Sequence, residues 1–198
     1  MLEKLSKRLY DSLRNRNIVS QLIAPILLLV ISFVLIPASA LGEMVVQACF
    51  SPVGKCSAYI IRELEQAKKE ILVAVYAFTS DELANAMVQA RKRGVSVQVV
   101  IDREFDLGNQ KSKGKFLEGQ RILLKRLSGI KSNTAEKETG LMHQKFAVID
   151  RRLVFTGSYN WTYSADALND ENLLLFRDAG PLAEEYRKAF FRLWERKP

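Results

Sequence analysis

Residues 71–101 read ILVAVYAFTSDELANAMVQARKRGVSVQVVI, and this stretch decides the fold class. Residues 71–78 are an unbroken apolar run of strand length, as expected of a strand covered on both faces. Thr79-Ser80-Asp81-Glu82 follows as a capping box, in which a hydroxyl and a carboxylate three residues later satisfy the first unpaired N–H groups of a helix. Leu83, Met87 and Val88 then fall on one helical face. Arg91-Lys92-Arg93-Gly94 closes that helix with cations in its last turn and a glycine just past it. Val95, Val97, Val99 and Ile101 alternate, the period of a second strand. Strand, helix and strand joined by turns this short form a βαβ unit, and its two strands run parallel.

The same reading extends outward. Residues 57–69 put Ile60, Ile61, Leu64 and Ala67 on one helical face, and residues 44–49 suit a short strand. Further strands are expected at residues 122–127, 145–149, 153–156 and 172–176. A last helix starts near Gly180-Pro181 and carries Leu182, Tyr186, Phe190, Leu193 and Trp194 on one stripe. There is no internal repeat and no low-complexity tract. The expected fold is α/β: a three-layer α/β/α sandwich around a mixed, largely parallel sheet, preceded by one N-terminal apolar helix.

That N-terminal helix sets the localisation. Residues 1–17 hold five cations against two acids, a net +3, and residues 18–38 carry no charge. At about 1.5 Å per helical residue such a run reaches about 30 Å, one bilayer core. Cations ahead of an apolar run keep its N-terminus in the cytoplasm. Ala38-Ser39-Ala40 matches the small-x-small pattern of a leader cleavage site. Residues 1–40 are therefore expected to be a signal peptide or a membrane anchor. Residues 41–198 follow as one domain, exported across the bacterial inner membrane or held at it. Of the chain's +8, this leaves +5 for residues 41–198, and residues 111–131 alone carry seven cations against Glu118, a net +6. Basicity is thus concentrated in one stretch, which suits an anionic partner or is simply a solvated face. With 198 residues, 48% of them hydrophobic, the chain is neither disordered nor large enough for a multi-domain machine. Cys49 and Cys56 flank a Pro/Gly turn; they can close a disulfide over it or remain separate buried thiols, and the spacing leaves both open.

The chemistry sits in HQKFAVIDRRLVFTGSYN, residues 143–160. His143 is the only histidine of the chain. If residues 143–149 are extended, His143 and Lys145 point to the same face. The next strand ends in Gly157-Ser158, where backbone N–H groups can approach an anion, and Asn160 adds an amide donor. A nucleophilic imidazole, a cation and neutral donors at strand ends are what attack on a phosphodiester requires. Two cysteines and one histidine cannot fill a four-ligand zinc site, and no carboxylate cluster with ligand spacing surrounds the motif. No metal and no cofactor are expected.

His143, Lys145, Asp150, Gly157, Ser158 and Asn160 match every specified position of H-x-K-x4-D-x6-G-S-x-N, and the chain thereby resembles the phospholipase D superfamily. The likeness runs from Cys49-Phe50-Ser51-Pro52 through Tyr76-Ala77-Phe78-Thr79 to the C-terminal helix. It is nearest to the small single-motif members, exported bacterial nucleases and membrane-anchored mitochondrial nuclease-like proteins. The zinc-binding insertion of the mitochondrial relatives has no counterpart here. The resemblance implies that His143 is a nucleophile forming a phosphohistidine, and that Lys145, Ser158 and Asn160, beside Gly157, hold the phosphate. It implies that Glu171, in Asn169-Asp170-Glu171-Asn172, orients the histidine through its other ring nitrogen. Asp150 completes the catalytic motif in a structural role, pairing with a cation near its strand end.

Attack by one imidazole leaves an alkoxide that needs a proton, and the chain has no second histidine to give it. A homodimer is therefore expected, with two His143 side chains meeting across a two-fold axis on one phosphorus. Three functions compete: a phosphodiesterase cutting nucleic acid, a phospholipase D acting on phospholipid head groups, and a non-catalytic nucleic-acid-binding module tethered at the membrane. The single motif, the small size and the basic stretch favour the first. The apolar N-terminus favours the second, and the intact His143/Lys145/Asn160 set speaks against the third.

Overall fold

The computed structural model describes residues 43–132 and 139–197, together with Lys4, Ser6 and Lys7. The apolar run at residues 18–38 and its cleavage pattern lie outside the described residues. Among the described residues no helix is long and apolar enough to cross a membrane.

The chain runs β1 (Val45–Ser51), α1 (Cys56–Gln66), β2 (Glu70–Val75), α2 (Asp81–Lys92), β3 (Ser96–Asp102), α3 (Arg103–Gly108), α4 (Gly114–Gly119), β4 (Leu123–Leu127), β5 (Lys145–Ile149), β6 (Leu153–Gly157), α5 (Tyr163–Ala167), β7 (Glu171–Arg177) and α6 (Gly180–Glu195). The strands form one sheet in the order β1-β7-β6-β5-β2-β3-β4. Two cores flank it. Ile60 and Leu64 of α1 and Leu83 and Met87 of α2 pack on one face, together with Ile71, Val73 and Val75 of β2. On the other, Ala183 and Phe190 of α6 cover Leu72, Ala74 and Val148. The three layers are those expected.

The sheet is mixed, but it is not largely parallel. Only β2–β3 and β3–β4 run parallel; β5 pairs antiparallel with β2 and with β6, and β7 pairs antiparallel with β6 and with β1. The reason is a reversal after β4. The βαβ crossovers end there, and the chain re-enters beside β2 in the opposite sense. The hairpin from β5 to β6 then turns through Asp150 and Arg151, both with positive φ (51° and 57°), the shape that suits the twist of a tight antiparallel turn.

Two local readings also shift. The cap of α2 is Ser80, whose Oγ accepts from Leu83 N at 3.2 Å, while the Glu82 carboxylate accepts from that same hydroxyl at 3.0 Å; the cap lies one residue past Thr79. The apolar run 71–78 leaves the ladder at Val75, so Tyr76, Ala77 and Phe78 form a wall at the end of the sheet instead. Cys49 and Cys56 are joined as a disulfide, their Cα atoms 5.8 Å apart.

Candidate active site

One end of the sheet gathers every side chain of the motif except Asp150. Register explains this: Lys145, at the start of β5, pairs with Val75 at the end of β2, and Gly157, at the end of β6, pairs with Leu173 near the start of β7. Strand ends of both directions therefore converge, next to the carboxyl ends of β2 and β3, where open α/β sheets place their ligands. His143, Lys145, Gly157, Ser158, Asn160 and Glu171 line a solvent-open cleft of about 440 Å³.

Each donor is held from behind. Gly157 has φ 150°, and a Cβ there would meet the Asn172 carbonyl oxygen at 2.2 Å, so only glycine lets β6 end this close to β7. Ser158 N and Tyr159 N both donate to that carbonyl, at 3.1 and 3.3 Å. The Ser158 hydroxyl oxygen accepts from Asn172 N at 3.1 Å and Nδ2 at 3.3 Å, which leaves its own proton for an anion in the cleft. Asn160 Oδ1 accepts from Ala77 N at 3.3 Å, so its NH₂ is the end left to donate. Trp161 N donates to Ala77 O at 3.0 Å, and Thr79 N and Ser80 N donate to Trp161 O, sewing this loop to the 76–80 wall. Beneath it the buried Tyr159 donates its hydroxyl to Asp166 at 2.7 Å, and Asp166 also accepts from Ser57 N and Oγ, both at 2.9 Å.

Lys145 Nζ donates to the His143 carbonyl at 3.1 Å and lies 5.4 Å from the centre of the Tyr76 ring. Burial pushes its ammonium pKa down, and the Glu171 charge opposes that. The Tyr76 ring also meets the His143 imidazole edge to face, centroids 4.8 Å apart.

Two expected roles fall differently. Glu171 reaches the cleft, but it makes no hydrogen bond to His143: its Oε1 accepts from Asn169 Nδ2 at 3.2 Å, and the imidazole packs against Tyr76 instead. Asp150 sits at the far end of β5. Its carboxylate accepts from Lys68 N (2.8 Å), Lys69 N (2.7 Å) and Glu70 N (3.0 Å), so three backbone amides occupy the place of the expected cation. Its left-handed turn conformation aims the side chain at the start of β2. Tyr76 is the site residue that sequence reasoning passed over; its position just past the end of a parallel strand was the available signal.

The basic stretch is divided. Arg126 is committed to Asp106 (2.6 Å) and, bidentately, to Glu118 (2.8 Å twice), pairs that drive its pKa further up and lower that of Glu118. Lys113 pairs with Asp81 at 2.7 Å, and Lys125 Nζ donates to the carbonyls of Trp194 and Arg196 at the end of α6. Lys111, Lys115, Arg121 and Lys131 are exposed. Lys113 N donates to Phe78 O at 3.0 Å, which puts the 111–115 segment beside the wall of the cleft. Among the described residues no group of three His, Cys, Asp or Glu side chains could hold a metal ion.

Known proteins resemble the chain in sequence and in fold. Residues 60–194 match the family described as cardiolipin synthase, PLD-like domain. A phospholipase D of Rickettsia prowazekii is 34% identical over 153 residues, covering 77% of this chain and 69% of that protein. The mitochondrial cardiolipin hydrolase of Canis lupus familiaris is 34% identical over 152 residues, and there the chain spans about half the relative, 54%. Among solved structures, NucT from Helicobacter pylori has a TM-score of 0.73 at 28% identity, covering 77% of this chain and 97% of NucT. Nuc from Salmonella typhimurium, a phospholipase D family member, has a TM-score of 0.67 at 29% identity, covering 77% and 95%. With the motif intact, its donors converging on one cleft, and a family match over residues 60–194 beside a phospholipase D 34% identical, the chain belongs to the phospholipase D superfamily, in its small endonuclease-like branch, and is an enzyme of the phosphodiesterase type.

Proposed function

We propose that the chain hydrolyses the phosphodiester bonds of nucleic acid through a phosphohistidine on His143, at a site completed by a second copy of the chain. The observation that carries this is the cleft itself: one imidazole, one cation and two neutral donors on a surface open enough for a polymer. Lys145, the Ser158 hydroxyl and the Asn160 amide hold the non-bridging oxygens as their charge grows. His143 attacks phosphorus, the P–O bond to the leaving group breaks, and the alkoxide takes a proton. Water then cleaves the N–P bond and regenerates the imidazole. The proton donor is the partner copy's imidazole, since this is a one-histidine chain. Asp150 serves the fold, and Glu171 serves the cleft by balancing the Lys145 charge.

NucT and Nuc, each covered over nearly its whole length, support nucleic acid as substrate, as do the exposed Lys111 and Lys115 beside the cleft wall. The rickettsial phospholipases D, and the charge-free run at residues 18–38, support a second reading: phospholipid head groups hydrolysed at a membrane. That run also supports export across the bacterial inner membrane, or tethering to it.

The test uses the full chain against supercoiled plasmid, single-stranded RNA, and phosphatidylcholine or cardiolipin vesicles. Cleavage of nucleic acid, abolished in His143→Asn, is expected. Vesicle hydrolysis alone moves the assignment to the second reading, and binding without turnover moves it to a non-catalytic module. Refolding wild type with an equal amount of His143→Asn gives about a quarter of dimers two intact histidines, so activity near a quarter supports the shared site and activity near half refutes it.

A further inference from the structure

The group that orients a catalytic histidine is commonly a carboxylate bonded to its second ring nitrogen. Here Glu171 makes no hydrogen bond to His143, its Oε1 accepting from Asn169, and the imidazole has an aromatic neighbour instead. Three rings form a row: Phe105 to Tyr76 at 5.4 Å between centroids, and Tyr76 to His143 at 4.8 Å with planes 61° apart. The row is fixed at both ends by one carboxylate. Asp102 is fully buried at the end of β3; one of its oxygens accepts from Phe105 N at 2.9 Å and the other from Met142 N, the residue before His143, also at 2.9 Å. A buried carboxylate with both oxygens committed does not yield its partners cheaply.

We propose that Tyr76, backed by Phe105 in a row whose two ends Asp102 ties together, is the positioning residue for the His143 imidazole; this rests on the assignment of His143 as nucleophile. A ring suits this task for a chemical reason. In one turnover the histidine is neutral as nucleophile or protonated as acid. A tyrosine ring accepts a neutral imidazole edge to face and a protonated one as a cation, and so orients both states. A carboxylate favours the charged state alone. The same ring sits under Lys145 Nζ, so a single side chain sets the spacing of nucleophile and phosphate-binding cation. The hydroxyl of Tyr76 has no part in this; the ring does.

Because His143 is the only histidine, the full-length protein has one set of imidazole carbon–proton resonances, which report its surroundings without any substrate. Those resonances are compared in wild type, Tyr76→Phe and Tyr76→Leu, alongside kcat and KM for the small diester bis(p-nitrophenyl) phosphate. Tyr76→Phe is expected to keep kcat within about twofold and leave the resonances in place. Tyr76→Leu is expected to move them and to lower kcat about 10²-fold, the cost of roughly 1 Å of misplacement, with KM nearly unchanged. Wild-type kcat or unmoved resonances in folded Tyr76→Leu would overturn the proposal. So would an equal loss in Tyr76→Phe, which would assign the effect to the hydroxyl. If Tyr76→Leu does not fold, Tyr76→Phe decides alone: near-wild-type kcat with fixed resonances supports the ring, and a loss beyond tenfold refutes it. A wild type inert toward every diester would sink the functional assignment, while the resonance comparison would still test the clamp.

Discussion

Replacing Asp150 separates the two jobs of the motif. The carboxylate accepts three backbone N–H groups at 2.7–3.0 Å, from Lys68, Lys69 and Glu70, and ties the α1–β2 turn to the β5–β6 hairpin. A hydrogen bond to a charged group is worth about 1.5–3 kcal/mol when shielded. Two of these three are exposed, so water recovers most of their value, and the set is worth about 2 kcal/mol. Asp150 also has φ 51°, a conformation aspartate tolerates and alanine resists by about 1 kcal/mol. Asp150→Ala should therefore cost about 3 kcal/mol, whereas Asp150→Asn, keeping one acceptor oxygen and the tolerance for positive φ, should cost about 1. At about 2–4 °C per kcal/mol for a domain of this size, the melting points should fall by roughly 6–12 °C and 2–4 °C. Catalysis should be spared, since Asp150 and Lys145 are five residues apart along an extended segment, about 17 Å. Calorimetry gives the first quantity, and kcat on plasmid well below the melting transition gives the second. A tenfold fall in kcat with an unchanged melting point would refute the reasoning and return Asp150 to the reaction.

Burial penalises the charged form of Lys145, so its proton leaves earlier as pH rises than the ~10.4 of an ordinary lysine, and kcat/KM should fall on an alkaline limb below that value. A limb unmoved in the residual activity of Lys145→Arg would assign it to another group. Lys111→Gln and Lys115→Gln, made in His143→Asn, should each reduce the log–log salt slope of single-stranded DNA binding by about 0.7. Lys113→Gln, whose charge is already paired with Asp81, should leave the slope alone and cost under about 1 kcal/mol of stability.

What the sequence disclosed and what it hid divide along the range of the interactions. The βαβ unit at residues 71–101 was legible because its periods and its cap are local. His143 and Lys145 were legible as a pair lining one cleft, although β5 begins only at Lys145 and His143 precedes the strand whose alternation was expected to align them. The direction of β5, β6 and β7 was not legible, because it depends on how the chain returns after β4 and on which strand it then meets. Apolar character also misled at residues 76–78: Ala77 and Phe78 are as buried as the strand before them, so hydropathy continues smoothly where the hydrogen-bond ladder stops. Charge misled in the basic stretch for the same reason. Arg126 looks like surface charge in the sequence, and only the fold brings Asp106 and Glu118 to it.

The histidine's partner is the sharpest case. Glu171 could be named because its Asn169-Asp170-Glu171-Asn172 context resembles that of the family's downstream acid. An aromatic ring at the end of an apolar strand reads as core, and nothing local distinguishes Tyr76 from Phe78, which packs edge to face on Trp161 inside the core. The difference arises from register. Val75 opposes Lys145, so the next residue leaves the sheet beside His143, and the buried Asp102 then accepts from the N–H of Phe105 and from that of Met142, the residue before His143. Position at a strand end thus turns an ordinary core residue into part of the site. The converse holds for Asp150, a motif residue that the length of one short strand removes from the chemistry. Membership of the motif and membership of the cleft are set by different physics, and only the second predicts which substitutions will slow turnover without loosening the fold.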